Sequence, residues 1–197
     1  MNIADFKAAM IGGGARASQF RVELTFPSFV TLGVISGQQA QFLCKAAQLP
    51  ASTIANTPVV YRGRPVNFAG EREYQPWQIS VYADTTFNIR NALESWSAGA
   101  AGYTTTDGKT NPLEYQVDLT VHQLDRNGAT IKVYTFADAY PTSVGAMQLD
   151  FDTVNQISTF DVEFTYNYFT SKTGATDDSS MFSTNVSVNT PIGTFGV

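Results

Sequence analysis

The chain has 197 residues, enough for one domain whose core needs neither disulfides nor metal. Only 15% of the residues are charged, against roughly 25% in an ordinary soluble domain, while 43% are hydrophobic, so much of the surface is uncharged or covered by other molecules. A formal net charge of −5 argues against a surface that grips nucleic acid, because affinity for phosphate rests on Lys and Arg displacing counterions.

Residues 1–15 read as a mobile arm with one or two helical turns, set off by Gly12, Gly13 and Gly14. From Gln19 the chain alternates, with Phe20, Val22, Leu24 and Phe26 on one face and Arg21, Glu23 and Thr25 on the other, which predicts a half-buried strand ended by Pro27. Residues 40–49 form the next strand candidate. Two short β-prone runs, one ending in Val59, Val60 and Tyr61 and the other starting at Pro65, Val66, Asn67 and Phe68, flank Arg62, Gly63 and Arg64. This is a hairpin pattern over 58–68. Residues 73–83 make a further strand, with Trp77, Ile79 and Val81 sharing a face.

The period then changes. Asp84 or Thr85 is placed to cap a helix in which Ile89, Leu93 and Trp96 recur on one stripe, with Gly99 as the stop. A loop over 99–112 leads to an alternating run of Tyr115, Val117, Leu119 and Val121 against Gln116, Asp118, Thr120 and His122. Asn127 and Gly128 turn the chain into a strand over 129–137. Two more strands are expected over 147–151 and 157–169, the second with Phe160, Val162, Phe164, Tyr166 and Tyr168 on one face. The expectation is a mainly β domain over 16–169, an antiparallel sandwich or barrel with one flanking helix. Residues 170–197, rich in Ser, Thr, Asn and Gly, form a C-terminal extension.

Catalytic and metal chemistry find little support. One His and one Cys at unrelated positions cannot supply the three or four ligands of a zinc site. His122 reads as a solvated or hydrogen-bonded residue on a polar strand face, and Cys44 as a small buried hydrophobe rather than a reactive thiol. As the only cysteine, Cys44 also excludes an intramolecular disulfide, which fits a reducing compartment. The carboxylate pairs Asp150/Asp152 and Asp161/Glu163 lie two residues apart, a spacing ordinary sheets produce without any glycosidase role. The three glycines lack the flanking strand and the Gly-Lys-Ser/Thr ending of a phosphate loop. Nine Tyr, fourteen Phe and two Trp would suit a single-stranded nucleic-acid platform only beside a basic groove, so they read as core and subunit interface. No catalytic residue, metal site or cofactor is expected, nor a signal peptide or membrane anchor, since no apolar run approaches about 20 residues.

Three stretches carry a resemblance. The first runs from Phe42 through Cys44, Lys45 and Ala46 to Leu49 and Pro50. The second covers Ala69 to Tyr74 and continues through Trp77 into the helix holding Trp96. The third is Pro141-Thr142-Ser143-Val144-Gly145, followed by Gln148 to Asp152 and by Thr159 to Phe164. In this order they resemble the tail tube proteins of contractile-tailed bacteriophages. The resemblance covers residues from about 16 to 169 and departs from the short family form after Pro27 and beyond Phe169.

It implies a non-enzymatic virion protein, assembled in the host cytoplasm. Six copies would form a ring whose inner sheets join into a continuous β-barrel channel, and the rings would stack into a tube. The implied partners are further copies of the chain, a sheath outside, and baseplate and terminator proteins at the ends. A tape measure protein and DNA would pass through without tight binding. Related assemblies with the same implied fold are the type VI secretion tube, the phage-tail-like bacteriocin tube and the tube-initiating baseplate protein. A β-sandwich carbohydrate-binding module is the alternative of another class. Within the tube reading, the apolar hairpin residues Val59, Tyr61, Val66 and Phe68, with Arg62 and Arg64 at the tip, are expected at contacts between subunits or rings. Glu23, Asp118, Asp161 and Glu163, on polar strand faces, are expected to line the channel. The extension is expected to order only in the assembly, with Phe182, Ile192 and Phe195 as anchors.

Overall fold

A computed structural model describes residues 2–10, 14–104, 107–152, 154 and 156–174. The alternating runs become two antiparallel sheets that share one strand. In the first sheet, β1 (Phe20–Glu23) pairs with β6 (Val117–Leu124), β6 with β7 (Thr130–Val144), and β7 with β9 (Tyr168–Thr173). In the second, the end of β7 pairs with β8 (Thr159–Thr165), β8 with β5 (Trp77–Tyr82), and β5 with β2 (Cys44–Ala47).

Strand β7 passes from one sheet to the other beside Asp138, whose φ of 56° lies in the left-handed region. Asp118 braces this corner by accepting the Asp138 backbone N–H at 3.2 Å, and Asn167 donates to the Asp138 carboxylate at 3.0 Å. The inner faces of both sheets meet in one core. Trp77 of the second sheet stacks on Phe136 of the first at 4.3 Å, and Val22, Leu119 and Val121 join Ile79, Val81 and Phe164 in the same cluster. Each such fully buried side chain is worth about 1.5–3 kcal/mol.

Helix α3 (Asn88–Ala100) closes the core with Ile89, Ala92, Leu93 and Trp96, the stripe read from the sequence. Its start differs from expectation. Phe87 occupies the cap position without a side-chain cap bond, while the Asp84 carbonyl accepts the Phe87 N–H, so Asp84 closes a turn ahead of the helix. The helix also continues past Gly99 to Ala100.

A second packed helix corrects the expectation of a single one. Residues over 40–43, assigned to a strand, belong to α2 (Gly33–Leu43), and only Cys44–Ala47 is extended. The buried positions of α2 are Gly33, Ser36 and Ala40, all small. A Cβ on Gly37 would stand 2.6 Å from the Leu24 carbonyl oxygen, so the helix lies against the chain leaving β1 by having almost no side chain there. Ser36 donates to the Asn88 carbonyl at 3.1 Å, tying α2 to the start of α3.

Three further differences bear on function. The strand expected over 147–151 is absent, and the described residues between β7 and β8 are irregular. The run over 157–169 is two strands, β8 and β9, which belong to different sheets; Phe160, Val162, Phe164 and Tyr166 are buried as expected, whereas Tyr168 is half exposed. Strand β9 continues to Thr173, so the start of the expected extension is sheet, and Phe182, Ile192 and Phe195 lie outside the described residues. Short helices α1 (Ile3–Ala9), which buries no residue, and α4 (Pro112–Tyr115) are the remaining elements among the described residues; Tyr115, expected on a strand, ends α4.

Candidate assembly surfaces

The hairpin foreseen over 58–68 is the middle of a longer one. Strands β3 (Ser52–Tyr61) and β4 (Arg64–Tyr74) pair with each other and form a separate two-stranded sheet. Arg62 and Gly63 have φ of 48° and 78°, the paired left-handed residues of a two-residue turn whose twist matches the strands. Ten residues of β3 at about 3.3 Å each carry the tip roughly 30 Å outward. At the base, Gln75 donates its N–H to the Ala51 carbonyl, and Tyr74 packs edge-on against Phe169 at 5.6 Å.

The register places Val59 opposite Val66, Thr57 opposite Phe68, and Tyr61 opposite Arg64. Side chains alternate along a strand, so Val59, Tyr61, Arg64, Val66 and Phe68 share one face, with Arg62 in the turn. Five of the six candidate interface residues thus come together, and all six are exposed in the protomer. Val60 and Ile54 add exposed apolar surface that sequence reasoning passed over. An isolated hairpin is marginal in water, and among the described residues this one is covered only at its base.

The four candidate channel residues divide into two pairs. Glu23 and Asp118 lie on the outer face of the first sheet. There Glu23 contacts Arg21 at 3.1 Å and His122 at 3.5 Å, and accepts from Thr120 at 3.4 Å. His122 sits on this polar face as expected, but its side chain is only 14% exposed. Asp161 and Glu163 lie on the outer face of the second sheet, opposite Ser80 and Gln78, and the Ser80 hydroxyl donates to Asp161. The common core separates the two pairs.

Elsewhere, burial pushes the Cys44 thiol up to about 12, only partly offset by its hydrogen bond to the Ala46 backbone, which suits a packing role. Among the described residues no group of three or more His, Cys, Asp or Glu is placed to hold a metal ion, and no helix is long and apolar enough to cross a membrane.

The described residues thus form a two-sheet β protein with a long apolar hairpin that they leave exposed. The chain belongs to the phage tail tube protein family, whose sequence profile matches residues 15–172, and is thereby a structural component of the virion tail. It is 33% identical over 159 residues to the tail tube protein of Enterobacteria phage T4, covering 80% of this chain and 92% of that one. It is 27% identical over 169 residues to the tail tube protein of Serratia phage KSP90, covering 83% and 93%. In fold it resembles a chain of the anti-feeding prophage tube-terminating cap (TM-score 0.61, 14% identity, 82% of this chain and 92% of that one). A chain of the six-fold symmetrised anti-feeding prophage baseplate is similar at a TM-score of 0.59 and 13% identity, covering 81% and 96%. Family membership sets aside the carbohydrate-binding module.

Proposed function

We propose that six copies close into a ring, and that rings stack into the tube through which the phage genome passes, with no catalytic step by this chain. The observation that carries this reading is the hairpin: a face formed by Val59, Tyr61, Arg64, Val66 and Phe68 that the described residues of its own protomer leave exposed. An exposed apolar face of this kind marks a surface that a partner covers. Six-fold symmetry is supported by the baseplate particle named above, and the sheath, baseplate and terminator are the partners that a tail tube requires.

The first sheet is the one that lines the lumen. Among the described residues its outermost strands, β1 and β9, each pair on one side only, which leaves an edge at either end with which to join its neighbours. Glu23 and Asp118 then face the channel beside Thr120, Thr135 and Thr170, and Asp161 and Glu163 face outward. A polar wall without a cationic excess suits a conduit, since a basic one would hold duplex DNA through many simultaneous phosphate contacts. Electron microscopy of the purified chain, alone and on baseplates, tests the reading. Rings or tubes are expected; monomers persisting at high concentration in both conditions, or Asp161 and Glu163 lining the lumen of a resolved tube, would overturn it.

A further inference from the structure

Helix α2 is inverted with respect to an ordinary packed helix. It buries only small residues, Gly33, Ser36 and Ala40, while Val34, Ile35 and Phe42 are 78%, 52% and 84% exposed. Val34, Gln38 and Phe42 recur at every fourth position, which sets them in one row with Ile35 beside it, on the side of the helix away from Ala40. Between Glu23 and Lys45 the sequence holds no charged residue. A face of apolar side chains and glutamines without charge has the make-up of the core of a lasting protein interface, from which charges are depleted.

Its position gives the partner. Strand β1 ends the first sheet, β2 ends the second, and α2 runs from one to the other, so it lies along that side of the sandwich. A groove of about 310 Å3 carries its outer row onto the chain leaving β1, lined by Val34, Gln38 and Gln41 together with Leu24, Thr25 and Phe26. On the opposite side β9 ends the first sheet, and Tyr74, Tyr134 and Phe169 form an aromatic margin that the described residues leave partly exposed. Glu23 lies in register with Thr120, Thr135 and Thr170, so Phe169, one residue on, is level with the exit of β1 from which the chain leads into α2.

We infer that the outer row of α2, with Val34, Ile35 and Phe42, packs against Tyr74, Tyr134 and Phe169 of the next copy in the same ring. This rests on the six-copy ring joined through the edges of the first sheet, and adds a helical seam behind the junction of strands. Rotation about the ring axis preserves strand direction, so β1 of one copy meets β9 of the next antiparallel, and the core-facing side chains of that β9 come beside α2. Ser171 lies opposite Tyr134 in the sheet. Val34→Cys combined with Ser171→Cys in a Cys44→Ala chain, assembled into tubes and treated with a short bismaleimide, should give a ladder on denaturing gels that stops at six. Each single-cysteine chain should give none. Tubes with no cross-link, or with a ladder running past six, would overturn the seam and leave the tube reading standing; failure of the unaltered chain to form rings or tubes would remove the reading beneath it.

Substitution decides the matter if the cysteine pair impairs assembly. Val34→Gln, Ile35→Gln and Phe42→Gln together keep the helix uncharged and replace only exposed side chains. The melting temperature of unassembled subunits should therefore stay within about 2 °C, while the concentration needed for assembly should rise at least about tenfold. Assembly at the unaltered concentration would overturn the proposal, and tubes that form normally but no longer accept a sheath would overturn it in favour of the sheath as the occupant of this face.

Discussion

Replacing Tyr61 and Phe68 together with Ser separates assembly from folding. Tyr61 leaves 64% and Phe68 55% of its surface uncovered in the protomer. An aromatic side chain buries roughly 150–250 Å2, so about 80–160 Å2 of each remains for a partner to cover, or about 2–4 kcal/mol per residue at ~25 cal/mol/Å2. Association offsets part of this through lost freedom and imperfect pairing. If a third survives, the two side chains contribute about 1.5–2.5 kcal/mol per contact, and the concentration needed for assembly rises roughly 10- to 60-fold. The folded subunit should hardly notice, because substitutions at uncovered positions usually stay within about 0.5 kcal/mol, or about 2 °C in melting temperature for a chain of this size. Sedimentation across a concentration series measures the first quantity and circular dichroism melting of unassembled subunits the second. Tubes forming at the unaltered concentration would refute the assembly role of this face, and a melting temperature lowered by many degrees would refute its independence from the fold.

Trp77→Ala should do the opposite. The residue is 1% exposed, and its indole donates to the Gln48 carbonyl at 2.7 Å, so the cavity and the lost bond together should cost about 4–6 kcal/mol and lower the melting temperature by roughly 10–20 °C; a fall below about 4 °C would contradict the packing described. Burial raises the Cys44 thiol from 9.0 to about 12, so the folded chain keeps a proton that the unfolded chain releases above about pH 9. Stability relative to Cys44→Ala should therefore fall as pH rises from about 9 towards 12, by up to ~1.4 kcal/mol per unit, which urea unfolding at several pH values will measure. Changing Glu23 and Asp118 together to Lys should slow genome release from reconstituted particles, with recovery at high ionic strength through screening. The pair Asp161→Lys and Glu163→Lys should leave release unchanged, and dye-monitored ejection of both sets will show whether the first sheet faces the lumen.

Where burial follows a simple period, composition along the chain was enough. The alternation at Val22, Leu119, Val121, Phe160, Val162 and Phe164 and the stripe of Ile89, Leu93 and Trp96 reflect side chains that must face one core, and each lies buried. The hairpin was legible for a different reason: its turn requires residues that accept a left-handed backbone, and its flanks are β-prone. Helix α2 was not legible, because it packs by closeness through Gly33, Ser36, Gly37 and Ala40, and hydrophobic periodicity does not register a face defined by the absence of side chains. The 147–151 segment misled in the reverse sense. Met147, Leu149 and Phe151 alternate as a strand does, yet Leu149 and Phe151 lie on the outside, so here the same pattern marks exposed surface rather than core. Glu23, Asp118, Asp161 and Glu163 all read alike as polar-face carboxylates, since alternation tells only that a residue points away from the core. Which way that is for each pair depends on β7 changing sheets at Asp138 and on the chain breaking between β8 and β9. Those long-range pairings set two outer faces pointing apart, and no local pattern encodes them.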